Sequence, residues 1–181
     1  MKKIVVLIAI LVMGVGAYAN FTKATLQASG LTCAMCTKAI NKSLEKLPFV
    51  AAVTVDIKTS SFGINFKEGV PVDIDAVRKA VEDAGFSVAK LQLTGKFNQV
   101  AVKNDAHFTI DGKVYHFLAV KSQVLDGEQT ITVVDKNFLT AKEFKKYSGA
   151  TKMACVQTGK AGACCQKDGI AAETRIFHVT I

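Results

Sequence analysis

The chain has 181 residues, half of them hydrophobic, with a formal net charge of +8 and no tryptophan. That composition excludes a disordered or low-complexity chain and leaves room for one ordinary domain or two small ones. The basic excess is spread along the sequence without dense Lys/Arg clusters, so the charge pattern that phosphate backbones select is missing and no nucleic-acid partner is expected.

The chain opens "MKKIVVLIAILVMGVGAYAN". Lys2 and Lys3 precede an unbroken apolar run at 4–13, and Ala17-Tyr18-Ala19 has the A-x-A form of a cleavage site. This is the layout of a secretory signal peptide over residues 1–19, with the mature chain starting at Asn20. The uncharged stretch is shorter than the 18 or more residues of a spanning helix. A cleaved leader is therefore expected over an uncleaved anchor, giving a periplasmic or secreted protein without stable membrane insertion. An oxidising compartment favours disulfides, and five cysteines leave at least one thiol over.

Residues 20–94 form the first expected domain. Ala24, Leu26 and Ala28 alternate with polar residues, predicting a strand that stops at Gly30. Ile40, Leu44 and Leu47 then recur at helical spacing, and Pro48 ends that helix. Val53, Val55 and Ile57 alternate again, "KTSS" turns, and Phe62, Ile64 and Phe66 return as the second strand of a hairpin. Asp73 caps a second helix with Ile74, Val77 and Val81 inward and Gly85 as its stop. Residues 86–93 supply a last strand. The order βαββαβ is that of a ferredoxin-like sandwich, so the fold class is α+β.

Cys33 and Cys36 fall between the first strand and the first helix. Two-residue spacing at a helix N-terminus turns both sulfurs to one side, where free N–H groups and partial positive charge favour thiolate. Thiolate pairs select soft ions such as Cu(I). A redox couple and a disulfide staple stand as alternatives from the residues alone.

"SGLTCAMC", the βαββαβ order and the "AVEDAGF" end of the second helix together resemble the heavy-metal-associated domain family, over residues 21 to about 94. The resemblance implies that Cys33 and Cys36 are the metal ligands, that Thr32 belongs to the metal loop, and that Phe86 packs beneath it. Leu31 stands where the family commonly has Met, a buried anchor and not a ligand. The function implied is that of an exported metal-binding protein or metallochaperone, non-enzymatic, that captures Cu(I), Hg(II) or Ag(I). It would pass the ion by thiolate exchange to a metal-transporting membrane protein or another thiol carrier. Lys38 and Lys42 would offset the charge of the bis-thiolate. The alternative function is a thiol–disulfide oxidoreductase or redox sensor using the same pair, although no Trp or cis-proline pattern of a thioredoxin-like protein accompanies it.

Residues 95–181 form a second expected domain, mainly β and OB-like. "HFTIDGKVYHFLAV" predicts a hairpin around Asp111-Gly112, "TITVVD" a strand, and "TAKEFKKYSG" a helix with a Thr140–Glu143 capping box. "TKMACV" and "TRIFHVTI" predict closing strands. Cys155, Cys164 and Cys165 sit in "KMACVQTGKAGACCQKDG", where they form either a disulfide from Cys155 to one of the pair or a second thiolate metal site, with Met153 on the face of Cys155. His107, His116 and His178 share no spacing, and His178 is expected on the solvent side of its strand. No Ser/His/Asp grouping, paired carboxylates or phosphate loop suggests catalysis.

Overall fold

The computed structural model describes residues 18–31 and 34–181; all but the last two residues of the expected 1–19 leader lie outside the described residues. Among the described residues eight strands form one mixed sheet in the order β2-β3-β1-β4-β7-β8-β6-β5. In chain order these are β1 (Tyr18–Ser29), helix α1 (Ala34–Glu45), β2 (Val50–Asp56), β3 (Ser61–Phe66), α2 (Ile74–Asp83) and β4 (Ser87–Val102). Then come β5 (His107–Ile110), β6 (Lys113–Phe117), β7 (Gln123–Val133), α3 (Ala141–Ser148), the short helices α4 (Cys155–Thr158) and α5 (Ala163–Gln166), and β8 (Ile176–Thr180). Among the described residues no helix is long and apolar enough to cross a membrane.

The first half follows its periodicity. Strands β2-β3-β1-β4 pair antiparallel, and the buried faces of α1 (Ile40, Leu44) and α2 (Ile74, Val77, Val81) join Leu26, Phe62, Ile64 and Leu91 in one core. The Asp73 carboxylate accepts the Ala76 N–H, as a cap at that position should. The alternation does not produce a buried row: Val55 on the edge strand β2 is exposed, and Ile57 is exposed in the turn just past its end.

The strand expected to end at Leu93 runs on to Val102, so residues 94 and 95 lie mid-strand. β4 pairs with β1 on one side and β7 on the other, both antiparallel. Gly95 is required there: a Cβ would stand 2.1 Å from the Asn20 carbonyl oxygen. The point at which leader cleavage is expected, after Ala19, falls inside β1, where Ala19 pairs with Phe97.

Beyond β4 an OB-like barrel does not form among the described residues. The sheet stays open and ends at β5, and β6 and β8 pair in parallel. A parallel pair needs a long crossover, which is supplied by residues 118–175 with β7 and the three helices. The stretch read as a strand at 151–156 is a helical turn at Cys155–Thr158, closed by Gly159 at φ +69°, so the strand needed to close a barrel is missing. The hairpin around Asp111-Gly112 is present, with φ of 49° and 73° at its two turn residues. The capping box of α3 is also present.

Arg175 ties the last segment to the first half. Its guanidinium donates to Asp75 on α2 at 2.9 Å and to Asp135 at 2.8 Å, and it lies over the Phe177 ring at 4.1 Å. Asp135 also accepts from the His178 ring Nδ1 at 2.6 Å.

Candidate metal centres

The first centre sits where β1 hands over to α1. Gly30, at φ +83°, turns the chain out of the sheet, and the Phe86 ring lies against it: a Cβ on Gly30 would meet Phe86 Cδ1 at 3.8 Å. Leu31 and Phe86 are both partly buried against the main core, the positions expected of an anchor and of an aromatic beneath the loop. Thr32 and Cys33 lie outside the described residues. Cys36 is half-buried in the first turn of α1, between the exposed Met35 and the half-buried Thr37. No acidic residue occupies that first turn, so the positive end of the helix dipole is left to act on the Cys36 sulfur. Lys38 and Lys42 are exposed on the same helix.

The second cluster is one that spacing along the chain does not reveal. β5 pairs His107 with His116, and β6 pairs His116 with His178, so three histidines form one row across three strands. Cross-strand partners share a face. The His107 and His116 rings stack at 4.5 Å, and His116 meets His178 edge-on at 5.1 Å. His178 is wholly buried, not on the solvent side; residues 141–175 cover that face, and its contacts include Asp135.

Cys155 enters the row from α4. Its Sγ lies 3.5 Å from His116 Nδ1, and the opposite nitrogen, Nε2, donates to Asp105 at 3.2 Å. Nδ1 is then the acceptor, and the Cys155 thiol donates to it. Burial, and then the neighbouring His178 and His107, lower the His116 pKa to about 4, so the ring is neutral at physiological pH. Burial pushes the Cys155 thiol up, with Cys165 and Cys164 adding to the effect.

Cys164 and Cys165 on α5 complete the cluster. Their sulfurs are 3.7 Å apart, and both lie within 4.8 Å of Cys155 Sγ. All three residues carry thiols and none is bridged. Met153 packs against the same group. Burial raises the Cys165 thiol. It also works against ionisation of Cys164, but hydrogen bonds from Cys165 and the local backbone outweigh it and hold that thiol below its usual range.

Sequence reasoning missed the histidines, although one signal was available. A two-residue turn at Asp111-Gly112 fixes the hairpin register, and that register sets His107 opposite His116.

The heavy-metal-associated domain model matches residues 25–87. The copper chaperone CopZ of Bacillus subtilis is 35% identical over 66 residues, which cover 36% of this chain and 94% of that protein. Copper-transporting ATPase 1 of Rhizobium meliloti is 38% identical over 66 residues, but the match spans only 8% of its length. The periplasmic component of the mercuric transport system of Serratia marcescens is 29% identical over 86 residues, 48% of this chain and 93% of that protein. Every one of these matches covers less than half of the chain.

Proposed function

The chain belongs to the heavy-metal-associated domain family through its N-terminal part, and from that premise we propose that it is an exported metal-binding protein that captures Cu(I) through Cys33 and Cys36. The observation that carries this reading is the position of Cys36: the first turn of a helix whose N-terminus holds no acidic side chain, beside a Gly30 turn backed by Phe86. Two thiolates at such a tip suit a soft, low-coordinate ion as cargo. Hg(II) and Ag(I) fit the same donors, and a similar periplasmic protein is named for mercuric transport.

The pair holds the ion at the surface end of α1, where a partner's sulfurs can approach. Transfer then proceeds by thiolate exchange: an incoming sulfur adds to give a shared three-coordinate ion, and one of the original sulfurs leaves. The receiving partner is a metal-transporting membrane protein or another thiol carrier, the kinds of protein that share this domain. Export to the periplasm follows from the leader, and the similarity to periplasmic relatives supports it.

The test is Cu(I) titration of the reduced full chain against a competing chelator. One Cu(I) should bind tightly, and Cys33→Ser/Cys36→Ser should weaken that binding by at least about a hundredfold. Unchanged Cu(I) affinity in the double variant would refute the assignment, as would a permanent Cys33–Cys36 bridge in the exported protein.

A further inference from the structure

We propose a second metal site, independent of the first, in which His107, His116, Cys155 and Cys165 bind one four-coordinate ion of the zinc class. One ring nitrogen from each of His107 and His116 and the Cys155 sulfur lie within 4.8 Å of one another, and Cys155 is within the same distance of Cys164 and Cys165. Cys155 is the ligand common to both groups.

The hydrogen bonds around the histidines point to a metal more than the bare count of donors does. His107 Nδ1 is held by Asp168 at 2.7 Å, and its Nε2 is buried without any partner. The His107 side chain is only 4% exposed, so leaving that nitrogen unmatched is costly unless something binds it. His116 repeats the arrangement with its nitrogens exchanged: Asp105 takes Nε2–H, and Nδ1 faces Cys155. A carboxylate holding the far N–H of each imidazole is the outer shell that metal-binding histidines carry, because it fixes the tautomer and raises ligand basicity.

The spacing also fits. Metal bonds of about 2.3 Å to sulfur and 2.0–2.1 Å to nitrogen at the tetrahedral angle set S and N ligands about 3.6 Å apart. Cys155 Sγ and His116 Nδ1 are 3.5 Å apart. Two imidazoles and two thiolates in a tetrahedral array select zinc over the soft monovalent ions favoured by a bare thiolate pair. Cys165, wholly buried and within 4.8 Å of Cys155 but not grouped with the two histidine nitrogens, supplies the fourth ligand by turning its side chain toward them, with Cys164 next to it at 3.7 Å.

This site is not an extension of the first. β6 lies four strands from β1, roughly 19 Å across the sheet at the usual strand spacing. It also occupies the opposite face: Val114, His116, Ile176 and His178 alternate with Tyr115, Phe117, Phe177 and Val179, and members of the second group join the core that α1 and α2 cover.

The experiment uses the full chain carrying Cys33→Ser/Cys36→Ser, so that its outcome is separate from that of the first site. The reduced protein is titrated with Co(II) and then with Zn(II). One Co(II) per chain is expected, with the intense ligand-field bands of a tetrahedral ion and thiolate-to-metal charge transfer, and Zn(II) should displace it. Because Cys155 and His116 are buried and their replacement threatens folding, the decisive variants are His107→Gln and Asp168→Asn. Asp168 is half-exposed, and its loss should weaken zinc binding by about 10–100-fold with unchanged metal-free circular dichroism. Absence of bound ion in the reduced protein, an affinity indifferent to both variants, or a bridge between Cys155 and Cys165 in protein isolated without reductant would each overturn the proposal.

Discussion

The loop at Cys33 and Cys36 and the cluster around Cys155 both present sulfur, but they are assembled in different ways. The first has its two cysteines within four consecutive residues of the sequence, with Cys36 in the first turn of α1 beside the Gly30 turn and the Phe86 ring. The second draws on β5, β6, α4 and α5, with outer carboxylates from two further loops. A tip site can be altered without touching the core, whereas a site built from sheet registers shares its supports with the fold. Function and stability should therefore separate at the first and couple near the second.

That contrast is tested most severely at Asp135. Its carboxylate is 8% exposed and serves Arg175, the His178 ring and the His178 backbone N–H together. Asp135→Ala removes one of the two carboxylates that hold the half-buried Arg175 guanidinium and leaves both His178 donors without their acceptor, and it should cost about 3 kcal/mol. Urea unfolding measures it, and a loss under about 1 kcal/mol would show that this anchor is not shared. Gly95→Ala comes next. The added methyl meets the Asn20 and Phe21 backbone where β4 passes between the two halves, and about 2 kcal/mol should be lost. If thermal unfolding then splits into two transitions, the continuous strand is what couples the halves.

A smaller effect is expected at the α3 cap. Thr140→Ala removes the hydroxyl arm of the capping box and leaves the backbone N–H of residue 140 on Glu143; it should cost about 1 kcal/mol. The Thr140 hydroxyl, and then its backbone N–H, hold the Glu143 carboxyl below its usual range. That contribution is complete above the unfolded pKa of about 4.3 and is lost as pH falls through the folded value. The acid side of the stability curve should accordingly be shallower in Thr140→Ala. Met35→Ala is the smallest. Its side chain is 73% exposed between the two first-site cysteines, so stability should move by less than about 0.5 kcal/mol. A larger loss would mean that the tip is packed into the fold after all.

The first half was legible because its signals are local. Period-two runs at Ala24–Leu26–Ala28, helical spacing at Ile40 and Leu44, the Asp73 cap and the Gly85 stop each concern neighbours in sequence, and each has its counterpart in the structure. The same held for the Asp111-Gly112 turn and the α3 cap. Legibility failed where a residue's role depends on what lies across the sheet. Val55 and Ile57 alternate like core residues but are exposed, because β2 has no outer neighbour and Ile57 falls in the turn beyond it. His178 alternates like a surface residue but is buried, because the crossover folds back over it.

By itself the sequence determined the βαββαβ unit, the family, and the position of Cys36 in the first turn of a helix, since periodicity, capping and local spacing are set by the few dihedral angles between near neighbours. The tertiary structure alone decided that β4 continues into a single eight-stranded sheet among the described residues, that β6 and β8 lie parallel, and that His107 and His116 meet Cys155 on the face opposite α1 and α2. Those outcomes depend on strand register and on which segments cover which face. Apart from the His107–His116 register, which the Asp111-Gly112 turn sets, both are fixed by contacts between residues tens of positions apart, which no local pattern encodes.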